Sequence, residues 1–228
     1  MKKRNVVILT TALALAPGAL LLAVWGGLPD TVVTTWGLNG AVTGTGTKLA
    51  LVWPVGLELL LCALLLAAPY LDPKRENYPK FSRRYHSLCI LMMLFFSAIN
   101  CVVIWENFRP GSFAVSRVVT GMLGLIFLCV GNVMPTFRHN YFVGIRTPWT
   151  LADPAVWEKA NRLGGRLFFF CGLGMLAMTL LLPEEWLAAG TLLLALTTAL
   201  LPCVMSFVWW RKKASNPGDT AKDRPDSL

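Results

Sequence analysis

Charged residues are scarce in this sequence. Only 14% of the 228 residues are Asp, Glu, Lys or Arg, against about 25% in ordinary soluble domains. Hydrophobic residues make up 55% of the chain, which excludes disorder for most of it because disordered segments have little apolar surface to bury. Glycine and proline are scattered without a period, which excludes a collagen-like chain. The composition therefore favours an integral membrane protein, provided that the apolar residues form long runs.

Catalytic motifs are scarce as well. The chain has two histidines, His86 and His139, and contains no H-E-x-x-H, G-x-S-x-G or Walker phosphate-loop motif. We therefore expect a non-enzymatic protein without a metal or a cofactor. The run Thr-Gly-Thr-Gly-Thr-Lys at 43–48 lacks phosphate-loop spacing, and it is predicted to be a flexible turn. No C-x-x-C pair is present, and the six cysteines are predicted to be reduced packing residues: Cys62, Cys89, Cys101, Cys129, Cys171 and Cys203.

Long apolar runs are abundant. A span needs about 20 apolar residues to cross a hydrocarbon core about 30 Å thick. Six runs meet this length or approach it: 6–27, 49–71, 87–105, 115–135, 167–183 and 186–210. The sequence therefore predicts an all-α, polytopic membrane bundle of six transmembrane helices. Residues 183–185 alone join the last two runs, which predicts a tight antiparallel helical hairpin.

The first run also resembles a signal peptide. It has a basic start and an Ala14-Leu15-Ala16 segment like a cleavage box. Pro17 would follow the cut, however, and the apolar run continues beyond it. An uncleaved first helix is therefore expected.

Basic residues give the chain a net charge of +9, and their distribution predicts orientation. With six spans, only Lys48, Arg109 and Arg117 of the 21 basic residues fall on the side opposite the termini. The positive-inside rule therefore predicts that both termini are cytoplasmic. This pattern also predicts contact between the basic loops and anionic lipid headgroups of the membrane. It provides no basic patch with interleaved aromatic residues, so we expect no binding to nucleic acid.

The loops divide the predicted bundle into two modules. Residues 1–86 form an N-terminal two-span module with an external loop at 28–48, and 72–86 form its cytoplasmic loop. Residues 87–213 form a C-terminal four-span module with a long cytoplasmic loop at 136–166. The polar tail at 214–228 is predicted to be disordered.

Glu58 is a carboxylate near the middle of the second run. Placing an ionised group there costs about 2.5–3.5 kcal/mol on insertion scales. Leucines around it offset this cost, but Glu58 must face protein or water, or be protonated. Asn100 in the third run is its predicted partner. The pair fits either a neutral hydrogen bond for helix packing or a functional proton or ligand site.

The loop at 136–166 is the most informative segment. Asp153 can cap a helix that begins at Pro154 and ends near Leu163, before the Gly164-Gly165 pair. Trp157 would project from this helix toward the bilayer interface. Pro148 disfavours helical geometry at the preceding residue, so 146–150 are predicted to be extended or to form a turn.

Local rules do not explain the Arg-Thr-Pro-Trp-Thr run at 146–150. One hypothesis makes Arg146 a brace, whose planar guanidinium ties helix-end carbonyls or side chains such as Asn132 and Asn140. The other makes Arg146 and Trp149 a docking surface for a cytoplasmic partner or a lipid headgroup.

This loop resembles the signature of the SdpI-type immunity protein family, a group of bacterial multi-span membrane proteins. The fitting residues are Gly131, Asn132, Pro135, Asn140, Gly144, Ile145, Arg146, Thr147, Pro148, Trp149, Thr150, Leu151, Val156, Trp157, Gly164 and Gly165. The external loop is similar at Leu28, Pro29, Trp36, Asn39, Gly40 and Lys48, but Thr35 stands where the family has His. Asp72-Pro73 and Asn77-Tyr78 match the segment after the second span.

The resemblance implies immunity to a secreted peptide toxin, and in some members signalling by capture of a cytoplasmic repressor. The toxin would meet the external face around Trp36 and the loop at 105–117. A small ion-coupled transporter or permease, using Glu58 and Asn100, is the alternative. An intramembrane enzyme, which the poor catalytic inventory disfavours, and a purely structural subunit are the remaining alternatives.

Overall fold

The computed structural model describes residues 3–37 and 40–215. Its longer helices are α1 (Lys3–Val24), α2 (Val52–Leu71), α3 (Tyr78–Phe108), α4 (Val115–Val133), α6 (Pro154–Leu181) and α7 (Glu184–Ser215), and α5 (Pro148–Ala152) is short. Within these described residues, six helices are long and apolar enough to cross a membrane. The predicted polytopic bundle is therefore confirmed, including the tight connection between α6 and α7.

A β hairpin occupies the predicted external loop, which the sequence analysis did not foresee. Strand β1 (Thr31–Trp36) pairs antiparallel with β2 (Val42–Thr47), and Thr31 lies opposite Thr47. The expectation of a flexible turn at 43–48 is therefore wrong. Threonine, valine and tryptophan favour strands, and the register sets the glycines of β2 against β1, where Gly44 lies opposite Thr35.

Helix α3 begins earlier than predicted. The segment expected to be the first cytoplasmic loop enters a 3-10 turn at Arg75–Asn77, and α3 follows from Tyr78 with non-helical backbone angles at Phe81. Burial explains the difference, because Tyr78, Phe81 and Tyr85 are each at most 5% exposed. Their rings pack on one another and on Phe137. The polar residues between them had concealed this helical apolar pattern.

Helix α6 runs without interruption through the Gly164-Gly165 pair, so the expected stop near Leu163 is wrong. A Cβ atom added at Gly165 would lie 2.6 Å from Pro135 Cγ and 2.8 Å from the carbonyl oxygen of Gly131. A Cβ atom added at Gly172 would lie 2.7 Å from the carbonyl oxygen of Gly124. These glycines therefore allow α4 and α6 to approach closely, as small residues do in membrane helix pairs.

The other helix contacts fall into two groups, and buried clusters lie at both ends of the bundle. α1 packs against α2 and α3, whereas α6 packs against α4 and α7. One buried cluster lies at the hairpin end of the bundle and includes Leu28, Val32 and Ile104. Another lies at the opposite end and includes Met134 and Ala160. Helix α7 extends to Ser215, so the prediction of disorder is wrong for residues 214 and 215, and 216–228 lie outside the described residues.

We expect Gly131→Ala to destabilise the bundle. Its new Cβ atom would lie 2.4 Å from the backbone nitrogen of Phe169, so the two helices must separate, at a cost of about 1–3 kcal/mol. Gly121→Ala on the same helix is the matched control, because its Cβ atom would meet only Thr179 Cγ2 at 3.5 Å. Thermal unfolding of the purified protein in detergent measures the difference. Equal melting temperatures for the two variants would contradict the close approach of α4 and α6.

Candidate functional site

The segment from the end of α4 to the start of α6, residues 136–153, is called the signature loop here. It is irregular, yet buried side chains satisfy its backbone groups. Asn140 is fully buried, and its amide nitrogen donates to the carbonyls of Arg138 and Val143. Its amide oxygen accepts from the backbone nitrogens of Phe142 and Val143 at 2.9 and 2.7 Å. One side chain therefore closes the first turn of the loop.

The middle of the signature loop is fixed by α6. The backbone nitrogen of Ile145 donates to Oδ1 of Asn161 at 3.0 Å, and Asn161 is 1% exposed. Gly144 has a φ of +112°, and a Cβ atom there would lie 2.5 Å from Asn161 Oδ1. Glycine is thus required at 144 both by the backbone conformation and by the space. The sequence analysis did not select Asn161, which looked like one polar residue on a helix.

Thr147 and Thr150 form a capping box for α5. The backbone nitrogen of Thr147 donates to Oγ1 of Thr150 at 2.8 Å, and the backbone nitrogen of Thr150 donates to Oγ1 of Thr147 at 3.2 Å. Thr147 is extended, as the Pro148 rule predicts, but Pro148–Ala152 form a short helix rather than continuing the extended segment. Capping supplies the reason, because the two hydroxyls satisfy free amides of the first turn.

Trp157 does not project toward the bilayer interface as expected. Its side chain is 2% exposed, and its indole nitrogen donates to the carbonyl of Phe137 at 3.1 Å. Its ring meets the imidazole of His139 edge to face, with centroids 5.0 Å apart. An indole N–H needs a hydrogen-bond acceptor, which a tryptophan at the bilayer interface finds in water or headgroups. Here the carbonyl of the signature loop is that acceptor, so the ring can be buried.

Arg146 is exposed, and its guanidinium donates to the carbonyl of Tyr141 at 2.6 Å. Within the described part of the chain, the hydrogen bond of Arg146 goes to this loop carbonyl rather than to Asn132 or Asn140. Asn132 is itself exposed. Trp149 is half-buried and packs on Phe207 of α7, with ring centroids 5.0 Å apart.

Asp72 joins the two loops at this end of the bundle. The carboxylate is 2% exposed and accepts from the hydroxyl of Tyr78 at 3.0 Å and from the backbone nitrogen of Tyr141 at 2.9 Å. It also accepts from the backbone nitrogen of Lys74 at 2.7 Å. The sequence analysis noted Asp72 only as part of the resemblance, since contacts across 69 residues leave no local pattern.

Asp153 caps α6 as predicted, accepting from the backbone nitrogens of Ala155 and Val156. It also forms a salt bridge of 2.7 Å with Lys213 of α7. Burial raises the pKa of Asp153, but the hydrogen bonds from Lys213 and the two amides outweigh burial and leave the pKa below its ordinary value. The carboxylate is thus held ionised at the N-terminus of α6, where negative charge is favourable.

His139 lies between the two loops in a neutral form. Its Nε2 lies 3.1 Å from the carbonyl oxygen of Thr150, which can only accept, so Nε2 carries the proton. Its Nδ1 is in contact with the ammonium of Lys74 and accepts from it. Burial lowers the pKa of His139, and the charge of Lys74 lowers it further, whereas the carbonyl of Thr150 and the Asp72 carboxylate act in the opposite direction.

The hairpin carries the predicted external residues. Trp36 is half-buried on β1 opposite Val42, and Pro29 is exposed before it. Gly40 has a φ of +76°. Lys48 forms a salt bridge of 3.4 Å with Asp30 and lies over the ring of Trp25. The predicted residue Asn39 lies outside the described residues.

Asn107 of α3 anchors the hairpin, and the sequence analysis missed it. Its Oδ1 accepts from the backbone nitrogen of Val33 at 2.6 Å, and its Nδ2 donates to the carbonyls of Val33 and Val103 at 3.0 Å. The side chain is 4% exposed. It thus pairs with the edge of β1 as a neighbouring strand would. Thr35, the departure from the family pattern, is exposed, and Thr43 Oγ1 donates to its hydroxyl at 3.3 Å.

Glu58 and Asn100 meet inside the bundle, as predicted. Asn100 Nδ2 donates to Glu58 Oε2 at 2.7 Å, and Glu58 is 2% exposed. Glu58 Oε1 has no hydrogen-bond partner among the described residues. All six cysteines are free, and the described residues contain no group of three potential metal ligands.

We expect Asn140→Ala to destabilise the protein more than Arg146→Ala. The first change leaves buried backbone groups unpaired, at about 1–3 kcal/mol for each buried group, whereas the second removes one exposed hydrogen bond. Thermal unfolding in detergent gives both values. A larger loss from Arg146→Ala would restore the brace hypothesis for Arg146.

Stability should fall as the pH falls below about 6.5, the ordinary pKa of histidine. Because the pKa of His139 is lowered in the folded protein, the unfolded chain takes up the proton first and stability is lost through the lower folded pKa. His139→Gln, which keeps a donor for Thr150, should reduce this loss. Melting temperatures measured from pH 8 to pH 5 test this, and identical pH profiles for the wild-type protein and His139→Gln would contradict it.

Comparison with known proteins agrees with the resemblance found in the sequence. The profile of the SdpI/YfhL protein family matches residues 136–208, which include the whole signature loop with α5, all of α6 and much of α7. The profile of a domain of unknown function, DUF1648, matches residues 12–57, which include the hairpin.

One curated relative is "Immunity protein SdpI" of Bacillus subtilis (strain 168), which is 23% identical over 123 residues. The aligned region covers 54% of this chain and 58% of that protein, so the chain matches little more than half of its relative's length. No solved structure matches the chain. These matches confirm the predicted resemblance to the SdpI-type immunity protein family, and together with the six apolar helices they indicate a multi-pass bacterial membrane protein.

Proposed function

We propose that this chain protects the bacterium that makes it from a secreted peptide toxin, without catalysing a reaction. The observation that carries the proposal is the 123-residue similarity to a protein named as an immunity protein. The site agrees with a function without catalysis, because the polar side chains of the signature loop and the hairpin form hydrogen bonds with backbone groups. Within the described residues, these contacts do not assemble a nucleophile with a base.

The hairpin is the proposed toxin-binding element. It lies at the end of the bundle with few basic residues, which the positive-inside rule places outside the cell. Asn107 covers one edge of the hairpin at β1, whereas the outer edge of β2 has no paired strand in the described structure. Most of β2 is exposed. A peptide can bind such an edge as an added strand.

The signature loop is the proposed contact for a cytoplasmic partner such as a repressor. Arg146 is exposed there with one hydrogen bond, which leaves most of its donors free for an acidic group. Trp149 next to it is fixed against Phe207. Binding surfaces are enriched in Trp and Arg side chains, and here a fixed Trp ring lies beside a guanidinium with free donors.

The proposal is tested in the source bacterium after deletion of the gene for this chain. The deletion strain is grown in the peptide fraction of spent medium from its own species, with and without a plasmid copy of the gene. We expect the wild-type copy to restore growth. Asn107→Leu should lose protection, because the hairpin loses its anchor, while its membrane level on immunoblots stays normal. Thr43→Val, which removes only an exposed hydroxyl contact, is the control and should protect.

Equal growth of the deletion strain and the complemented strain in the peptide fraction of spent medium would contradict the immunity function. Full protection by Asn107→Leu would contradict the hairpin as the toxin-binding element while leaving immunity itself in place.

A small ion-coupled transporter is the second candidate function. The observation that favours it is the unpaired Oε1 of Glu58 inside the bundle, because buried ionisable groups in membranes commonly mark ion or proton sites. Asn100 satisfies the other carboxylate oxygen, Oε2, with a hydrogen bond. Oε1 is therefore available to a proton or a cation.

We expect Glu58→Gln to retain protection. Glutamine keeps an oxygen for Asn100 Nδ2 but cannot exchange a proton, so a packing role survives the change. Protection by the variant is measured beside its membrane level in the same deletion strain. Loss of protection at a normal level, together with loss of proton-dependent uptake in vesicles, would favour the transporter.

A further inference from the structure

An open cavity of about 790 Å³ lies at the signature-loop end of the bundle. Three segments line it: residues 74–84 around the start of α3, residues 135–139 after α4, and the start of α6. None of these segments belongs to the hairpin. The cavity includes the first residues of the signature loop but not Arg146 or Trp149, which form the proposed docking surface for a repressor.

The rim of this cavity carries unpaired positive charge. Four basic residues line it: Lys74, Lys80, Arg84 and Arg138. None of the four forms a salt bridge within the described residues, where the ion pairs are Lys48–Asp30, Arg162–Glu158 and Lys213–Asp153. The two lining carboxylates are Glu76 and Glu158, and Arg162 outside the cavity already pairs with Glu158. The cavity therefore attracts anions.

Neutral contacts position part of this rim. Lys80 Nζ donates to Asn77 Oδ1 at 2.9 Å, and Asn77 Nδ2 donates to the carbonyl of His139 at 2.9 Å. Lys74 is held by His139 on the same side. The partners that orient these two lysine side chains are neutral, so no carboxylate competes with an anion for them.

The inner wall of the cavity is aromatic and rigid. Phe81, Phe137 and Trp157 line it, and each is at most 4% exposed. The rings of Phe81 and Phe137 lie 5.9 Å apart, and the Trp157 indole is hydrogen-bonded to Phe137. The cavity thus combines a basic rim with an apolar wall. A ligand with an anionic head and an apolar body fits both parts.

The basic rim of the cavity lies at the level of the lipid headgroups along the membrane normal. Arg84 precedes the apolar run of α3 at residue 87 by three residues, which is about 4.5 Å along a helix. Arg138 follows the apolar run that ends at Pro135 by the same number of residues. The headgroup layer is about 5–8 Å thick on each side of the hydrocarbon core. The basic rim therefore lies where phospholipid phosphates are concentrated.

We propose that this cavity binds the headgroup of an anionic phospholipid, with the lipid phosphate at the basic rim and the glycerol region against the aromatic wall. Basic pockets between membrane helices are known to suit cardiolipin and similar headgroups. A bound lipid would link α3, α4 and α6 at the end that presents the signature loop. Because the lipid binds the folded protein, the stability of the folded protein should rise with the concentration of free lipid.

The test uses the full chain purified in a neutral detergent and titrated with cardiolipin, phosphatidylcholine, inorganic phosphate or a polyglutamate peptide. Bound lipid is counted by native mass spectrometry, and stability is followed by thermal unfolding. The cavity variant carries Lys80→Gln, Arg84→Gln and Arg138→Gln. The control variant carries Arg166→Gln, Arg211→Gln and Lys212→Gln, which removes the same charge outside the cavity. All six side chains are exposed, so both variants should fold.

We expect cardiolipin to bind and stabilise the wild-type protein, with phosphatidylcholine far weaker. The cavity variant should bind cardiolipin about tenfold or more weakly, because each basic side chain near an anionic surface contributes measurably, and the control variant should bind within about twofold of wild type. Raising the salt concentration should weaken cardiolipin binding to the wild-type protein itself, a measurement that needs no variant.

Three results would overturn the proposal. Equal loss of cardiolipin binding in both variants would mean a general attraction of basic residues to anionic lipid. Stabilisation by inorganic phosphate equal to that by cardiolipin would mean a site for free anions. Binding of polyglutamate without binding of cardiolipin would mean a docking site for an acidic peptide.

Discussion

The irregular segments at both ends of this bundle depend on the pairing of buried backbone groups by side chains. A backbone amide or carbonyl left unpaired near the hydrocarbon core costs several kcal/mol, roughly. Helices satisfy their own groups, but the signature loop and the outer edge of β1 cannot. Asn140, Asn161 and Asn107 supply the missing partners from short amide side chains. These asparagines fix the loop and the hairpin in single conformations.

The same requirement explains why distant elements are joined at the signature-loop end. Asp72 pairs with Tyr141 across two loops, and Asp153 pairs with Lys213 across two helices. His139 accepts from Lys74 while it donates to Thr150, which requires a neutral ring. Most polar groups at this end are therefore engaged with one another, whereas the basic residues at the rim of the cavity have no carboxylate partner within the described residues.

Close helix packing controls how the C-terminal part of the bundle presents the signature loop. The glycines of α4 and α6 remove the side chains that would separate the two helices. Pro135 therefore rests against Gly165, and the loop begins directly above α6. Membrane helices gain little free energy from hydrophobic burial against each other, so close packing is what holds α4 against α6. This packing sets the position of the signature loop.

The sequence by itself determined the six spans, the cap at Asp153 and the contact between Glu58 and Asn100. Each rests on a local signal, such as run length, a capping residue before a proline, or an isolated polar residue in an apolar run. The dense motif at 144–151 likewise located the signature loop, and the family comparison agrees with it.

Only the tertiary structure decided what the polar residues contact. Asn107 with Val33 and Asp72 with Tyr141 are separated by 74 and 69 residues, so no periodicity could reveal them. Trp157 was expected at the bilayer interface because tryptophan favours that position, but a loop carbonyl gave its N–H a partner inside. The Gly164-Gly165 pair was expected to stop a helix because glycine has low helix propensity. Packing against α4 outweighs that propensity, and packing partners come from the fold.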